Sequence, residues 1–295
     1  MKSKDTRLWW RSVWIPALLL IMGCLVSSSS SGSLWSISIP SSGTVRAAST
    51  SKVLFEYGAE TGVLQPPWDL VRQFPEYGAT ITIVDRIART GSKSVKFEHT
   101  AEPPKESEAK RTSLRKWETW PEFYLSWWVY FPSDFDCGGQ DPDRWDTLGG
   151  VKYMWDDDAE EWKFRFMVTK YDGKHEMEFV IAGTTYPLQS KYYRFPDHRK
   201  IPKETWIHLQ MYIYLHETDG VIRAWATWSG DPGDGGLLVE RTGIPTLPSD
   251  SDAPDTPYIT ISHYTSNYDP PAKIYVDDVV ASSEKVPENY GVTGA

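Results

Sequence analysis

The chain of 295 residues sets 31 Lys and Arg against 40 Asp and Glu, a formal charge of −9, and its 40% hydrophobic and 14% aromatic shares exceed those of a disordered polymer. No apolar run reaches the roughly 20 residues of a membrane-spanning helix, which excludes a multi-pass membrane protein. The acidic balance speaks against nucleic-acid partners, which need a concentrated positive field, and two cysteines, Cys24 and Cys137, build neither a disulfide framework nor a thiolate zinc site.

Lys2, Lys4, Arg7 and Arg11 form a basic start, followed by an apolar run over 15–26 broken only by Pro16, Gly23 and Cys24. A run of that length suits a signal peptide, assigned to 1–26. Leu20-Ile21-Met22-Gly23-Cys24 resembles the lipobox of bacterial lipoproteins, which implies acylation of Cys24; a plain signal peptide or an uncleaved anchor are the alternatives. Val45-Arg46-Ala47 is a second, more distant cleavage motif. Residues 27–51 are rich in Ser, Gly and Thr and read as a tether. The working part, 52–295, is therefore expected outside the cytoplasm, extracellular or on the cell surface. The membrane is then a partner only through a lipid anchor or the uncleaved N-terminal segment. Cys137 is expected as a buried lone thiol.

Strand signals dominate the rest. In 206–216 the odd positions are aliphatic and the even ones are Trp206, His208, Gln210, Tyr212, Tyr214 and His216, the two-residue period of a strand with one core face. Short periodic runs recur at 80–84, 94–98, 123–131, 162–168, 176–181, 221–228, 258–264 and 273–280, separated by turn residues such as Thr218-Asp219-Gly220. No sustained helical period is present. The reading is an all-β, two-sheet antiparallel sandwich of jelly-roll type, expected as a monomer. With 15 Trp and 16 Tyr, the chain has aromatics enough for a core and for a platform on which sugar rings stack.

The opening Leu54-Phe55-Glu56-Tyr57-Gly58, the hairpin segment 88–97, the strand 123–135 and the closing Tyr275-Val276-Asp277-Asp278-Val279 resemble the concanavalin A-like jelly rolls of polysaccharide lyases, lectins and glucanases. Alginate-lyase-like members carry R-[ST]-E-L-R, Q-[IV]-H and Y-x-K-A-G-x-Y. Arg111-Thr112-Ser113-Leu114-Arg115 is similar to the first with Ser in place of Glu, and Tyr258 and Tyr264 keep the tyrosine spacing of the third. The middle motif is missing from 149–155, and the third lacks its Lys, Ala and Gly. The resemblance implies a polysaccharide partner and β-elimination on a uronate-containing glycan. That chemistry needs a cation to neutralise the carboxylate and a proton-transfer group beside it. Arg111, Arg115 and Lys152 take the first role, Tyr264 the second, with His263 and His208 supporting. The rival reading is a binding module without chemistry, in which Trp128, Tyr130, Gln210, Tyr212, Tyr214 and Tyr258 form the sugar surface.

Glu176 and Glu178, two apart on one strand, permit a hydrolase pair about 6.6 Å apart at Cα, but the segment lacks the Asp that glucanases of this fold place between them; two solvated glutamates are the plainer expectation. No cofactor is required. A structural calcium joining Glu56 to Asp277 or Asp278 is implied by the fold resemblance, whereas the acidic run 156–161 reads as a solvated turn. Two basic stretches, Lys105 to Lys116 and Lys191 to Lys203, are candidates for one groove that focuses a positive field on an acidic glycan.

Overall fold

The computed structural model describes residues 53–100, 111–117, 120–137, 145–154, 161–183, 191–230, 235–247, 257–265 and 272–291. The expected signal segment and tether, with Lys105, Lys110 and the acidic residues 156–160, lie outside them. Among the described residues there is no α-helix, and none is long and apolar enough to cross a membrane.

One sheet holds β1 (Val53–Tyr57), β3 (Ala79–Val84), β4 (Ser94–His99), β6 (Glu122–Tyr130), β11 (Trp206–Tyr214), β12 (Gly220–Trp228), β13 (Leu237–Ile244) and β15 (Ala272–Ser282). Its order is β13-β12-β11-β6-β15-β4-β3, with β1 also paired to β15. The other holds β2 (Leu70–Arg72), β5 (Arg111–Trp117), β7 (Trp145–Met154), β8 (Glu161–Tyr171), β9 (Lys174–Gly183), β10 (Lys191–Arg194) and β14 (Tyr258–Thr265), in the order β10-β9-β8-β7-β14-β5-β2. Neighbours are antiparallel, and strands remote in sequence meet at the centre of each sheet, β6 with β15 and β7 with β14. The expected jelly-roll sandwich is what forms.

The two-residue period explains the layering. Ile207, Leu209, Met211 and Ile213 of β11 and Phe123, Leu125, Trp127 and Val129 of β6 point inward and are buried. They meet Phe164 and Phe166 of β8, Tyr153 of β7 and Phe179 of β9 from the opposite sheet. Trp127 packs edge-on against Phe166, ring centroids 5.3 Å apart, tying the two layers together. Each large side chain so buried stabilises the fold by about 1.5–3 kcal/mol. The hairpin between β8 and β9 turns on Asp172 and Gly173, both at positive φ, as a tight turn matched to twisted strands requires.

A bulge in β7 shapes the outer face of the seven-stranded sheet. Register shifts between Thr147 and Gly149, where Gly149 and Gly150 have φ of +131° and +149°. A Cβ on Gly150 would lie 2.0 Å from the Phe164 carbonyl oxygen, so only glycine fits. Thr147 and Lys152 are five apart and would face opposite ways on a regular strand; the bulge returns both to the outer face.

Candidate functional site

On that outer face lies an open pocket of about 160 Å³, built by four adjacent strands. β5 contributes Ser113 and Arg115, β7 Thr147 and Lys152, β8 Lys163 and Arg165, and β14 Tyr258, Thr260, Ser262 and Tyr264. The ladder aligns them: Tyr258 stands across from Lys152, Thr260 from Arg115, and Lys152 from Lys163. Four cations therefore converge with two phenols and a row of small hydroxyls, and among the described residues lining the pocket there is no carboxylate. In a chain of net charge −9 this is a local inversion of sign, and a concave, low-dielectric wall focuses such a field on an anion. Arg115 lies over the Tyr258 ring, 4.9 Å from its centroid, with its Nε donating to Ser113 Oγ at 3.3 Å. Ser113, which stands where the lyase motif has Glu, thus orients the arginine. Trp117, 47% exposed, extends the aromatic surface from Tyr258, centroids 4.6 Å apart.

Arg115, Lys152, Tyr258 and Tyr264 thus come together, and Arg111 sits opposite Tyr264 in the ladder. His263 does not join them. It is one residue from Tyr264 and so points inward, fully buried, with Nε2 3.1 Å from Asp146 Oδ2; its backbone oxygen accepts from Thr112 Oγ1. The His99 ring packs edge-on against it, centroids 4.7 Å apart. Burial holds the His263 imidazole far below the usual histidine range, at about 3, so it is neutral and cut off from any substrate on the outer face.

His208 and the aromatics Trp128, Tyr130, Tyr212 and Tyr214 lie on the outer face of the other sheet, across the whole core from the pocket. His208 stacks flat on Trp128 at 4.1 Å and shares a 2.6 Å hydrogen bond with Ser126 Oγ. The Arg89 guanidinium covers Trp128 at 3.8 Å. Trp128 is therefore an interior layer and not a sugar platform. Burial, aided by repulsion from Arg89 and Lys285, lowers the His208 pKa to about 3. Tyr212 donates its hydroxyl to Glu122 at 2.6 Å, Tyr130 packs between Trp206 and Tyr275, and Gln210 is buried.

Arg89 contacts both Asp277 and Asp278, two of the three carboxylates named for calcium. Its Nη1 donates to Asp278 Oδ2 at 2.7 Å and to the Tyr290 carbonyl oxygen at 2.6 Å, while its backbone N–H donates to Asp277 Oδ2 at 3.0 Å. Glu56 instead accepts from the Tyr290 hydroxyl, and among the described residues these three carboxylates do not bring three ligand atoms within reach of one ion. Burial, reinforced by Asp278, raises the Asp277 pKa to about 6.

The group that does meet metal spacing is Asp136, Cys137 and His175, whose ligand atoms lie within 4.8 Å of one another. Lys170 Nζ already holds both Asp136 oxygens at 3.0 Å, so the carboxylate is neutralised without an ion. The Cys137 side chain is buried, as expected. Glu176 and Glu178 are not solvated: both are buried, Glu178 against Arg194 and Glu176 with His198 Nδ1 3.1 Å away. The second basic stretch begins at the β10 edge, with β9 and β8 between it and β7, so among the described residues the two stretches do not share a groove. Lys163 and Arg165 complete the cationic pocket instead. Their signal was available in Lys163-Phe164-Arg165-Phe166, which places two cations on one face of a strand and two core phenylalanines on the other.

No family model matches the chain, and no curated protein matches it by sequence. Solved structures do. The endo-β-1,4-glucuronan lyase of the fungus Trichoderma reesei superposes with a TM-score of 0.54 at 12% identity, over 79% of this chain and 96% of that one. The alginate lyase of a Chlorella virus gives 0.52 at 12% identity, over 79% and 100%. The sandwich is of the concanavalin A-like jelly-roll kind. At this identity the likeness establishes the fold, and the chemistry has to be argued from the pocket.

Proposed function

We propose that the protein binds an acidic polysaccharide across the outer face of the seven-stranded sheet and cleaves it by β-elimination. The observation that carries this reading is the convergence of Arg115, Lys152, Lys163 and Arg165 with Tyr258 and Tyr264 in one pocket whose described lining holds no carboxylate. A uronate carboxylate paired with these cations loses the charge that opposes removal of the adjacent ring proton, because the enolate-like transition state is stabilised by the same groups. Tyr264 transfers the proton, and its hydroxyl or that of Tyr258 serves the departing glycosidic oxygen. A hydrolase would place two carboxylates here; the paired glutamates are buried and engaged elsewhere. The two lyase structures of like fold fit this reading, as do the basic start and apolar run over 15–26, which support export and, through Cys24, a lipid anchor.

The test is ultraviolet absorbance of unsaturated uronate products when the full chain is incubated with glucuronan, alginate, pectate and heparin-type substrates. The reading predicts a signal on at least one, reduced about 10²–10⁴-fold in Tyr264→Phe, the range of lost general acid–base catalysis. Retention of a glycan in affinity electrophoresis with no product on any substrate would establish the binding module instead.

A further inference from the structure

Tyr264 stands where the ladder of the seven-stranded sheet is least regular. From Ile261 to Tyr264 the register advances three residues on β14 against two on β7, from Gly149 to Thr147, and one on β8, from Phe166 to Met167. Ser262 and His263 therefore have only Leu148 opposite them on the β7 side. A bulge of this kind forfeits ladder hydrogen bonds and bends the strand, so the pleat alone does not set the direction of a side chain beside it. The peptide between His263 and Tyr264 needs another hold.

A buried polar cluster provides one. The His263 carbonyl oxygen lies 2.9 Å from His99 Nε2 and accepts from Thr112 Oγ1, also at 2.9 Å. A carbonyl oxygen only accepts, so His99 carries its proton on Nε2. The His263 ring is fixed in turn, with Nε2 3.1 Å from Asp146 Oδ2 and the His99 ring edge-on to it. Thr112, Asp146 and His263 are fully buried, and His99 is 5% exposed. His99 belongs to β4 of the eight-stranded sheet, whereas Thr112, Asp146 and His263 come from β5, β7 and β14 of the other. Four strands and both layers thus converge on the one peptide that precedes Tyr264. Two imidazoles and a carboxylate are costly to desolvate, and apolar side chains of like volume would hold the layers together at least as well. Cohesion alone does not account for them.

We propose that His99, Thr112 and Asp146 are positioning residues for the elimination, acting through the His263 carbonyl and ring to aim the Tyr264 phenol into the cationic pocket, a role that rests on the lyase reading above. His263 serves Tyr264 from inside the core and meets no substrate.

Thr112→Val and Thr112→Ser in the full chain test it, because valine keeps the shape without the hydroxyl and serine keeps the hydroxyl. Thr112→Val should lower kcat on the acidic glycan about 10–100-fold with KM within about twofold, the pattern of a reacting group slightly misplaced in an intact binding site. Thr112→Ser should restore most of the loss. His99→Phe should behave as Thr112→Val does, and His99→Gln, whose amide N–H replaces Nε2–H, should recover part of it. A second readout needs no turnover: the ¹⁹F spectrum of the chain labelled with fluorotyrosine, in which the Tyr264 signal is identified by its loss in Tyr264→Phe. Thr112→Val should shift or broaden that signal and leave the signal of exposed Tyr192 in place. If the native chain yields no unsaturated product on any glycan, the lyase reading fails, and the Tyr264 signal decides the placement by itself. Positioning is overturned if Thr112→Val leaves kcat unchanged or, in an inactive chain, leaves the Tyr264 signal unchanged. It is overturned equally if the loss falls on KM and the thermal midpoint instead of kcat, or if Thr112→Ser rescues nothing.

Discussion

The two outer faces of the sandwich are built from the same alternating strands and are put to opposite uses. On the seven-stranded sheet the outward positions of β5, β7, β8 and β14 are cations, phenols and small hydroxyls that line a pocket. On the eight-stranded sheet the outward positions of β6 and β11 are mostly large aromatics, with His208, Gln210, Ser126 and Glu122 among them, much of that surface roofed by Arg89 and the C-terminal segment. The lesson is that aromatic richness does not mark the sugar face. A tryptophan closed under a guanidinium belongs to the core, and the face that forms a pocket is the one dressed with short and charged side chains.

The largest effect should come from removing the roof. Arg89 and Asp278 form a buried pair, with side chains 8% and 10% exposed, and Arg89 also holds two carbonyls of the C-terminal segment. Arg89→Ala leaves Asp277 and Asp278 buried without their cation and uncovers Trp128, which should destabilise the fold by about 3–5 kcal/mol. Thermal unfolding reads this directly, and an unchanged midpoint would mean that the eight-stranded face is not roofed.

Acid should act next. His263 and His208 have folded pKa values of about 3 against 6.5 for a free histidine. As the pH falls below about 6.5 the unfolded chain takes up protons that the folded one refuses, so stability drops through this window down to about 3, by on the order of a few kcal/mol for each histidine. Asp277 works the other way: its folded value of about 6 exceeds the unfolded 3.8, so protonation between those limits favours the fold and offsets part of the loss. His263→Gln should flatten the pH dependence of the denaturation midpoint by about one proton; an unaltered slope would mean that His263 is not buried neutral.

Much of the fold was legible because burial obeys a period of two. The run 206–216 gave β11 with its faces correctly divided, and the lone thiol Cys137 is buried as expected. The site was legible only in part. Alternation groups Arg115 with Ser113, and Tyr258 with Tyr264, but does not say which sheet a strand enters, so His208 and the β6 aromatics were grouped with a pocket that lies beyond the core. His263 failed for a local reason, since a neighbour of an outward tyrosine must point inward. Lys152 needed the bulge at Gly149 to align with Thr147, and no sequence period announces a bulge. Glu178 shows the reverse limit: a strand glutamate reads as solvated until Arg194, sixteen residues on, arrives to pair with it.

The cationic pocket should respond more modestly than the buried roof, because its charges are only half-buried. Arg165→Ala and Lys163→Ala each remove one charge-assisted partner, worth about 1.5–3 kcal/mol, and should lower kcat/KM on the acidic glycan about 10–100-fold, more at low salt than at high. The eight-stranded face offers the control: Arg223, paired with Glu240 at 2.6 Å, should tolerate Arg223→Ala with activity intact. Equal losses from Arg223→Ala and Arg165→Ala would break the distinction between the faces.

The smallest effect separates the two kinds of tryptophan. Trp117 is half exposed beside Tyr258, and Trp128 is sealed between Arg89 and His208. Trp117→Ala should weaken glycan retention in affinity electrophoresis by about 0.5–1.5 kcal/mol, a few-fold to tenfold, and leave thermal stability within about 0.5 kcal/mol. Trp128→Ala should do the opposite, lowering stability by about 3–5 kcal/mol while the folded fraction retains the glycan as the native chain does. If Trp128→Ala loses the glycan and Trp117→Ala does not, the polysaccharide lies on the eight-stranded face, and the cationic pocket is a charged surface without a substrate.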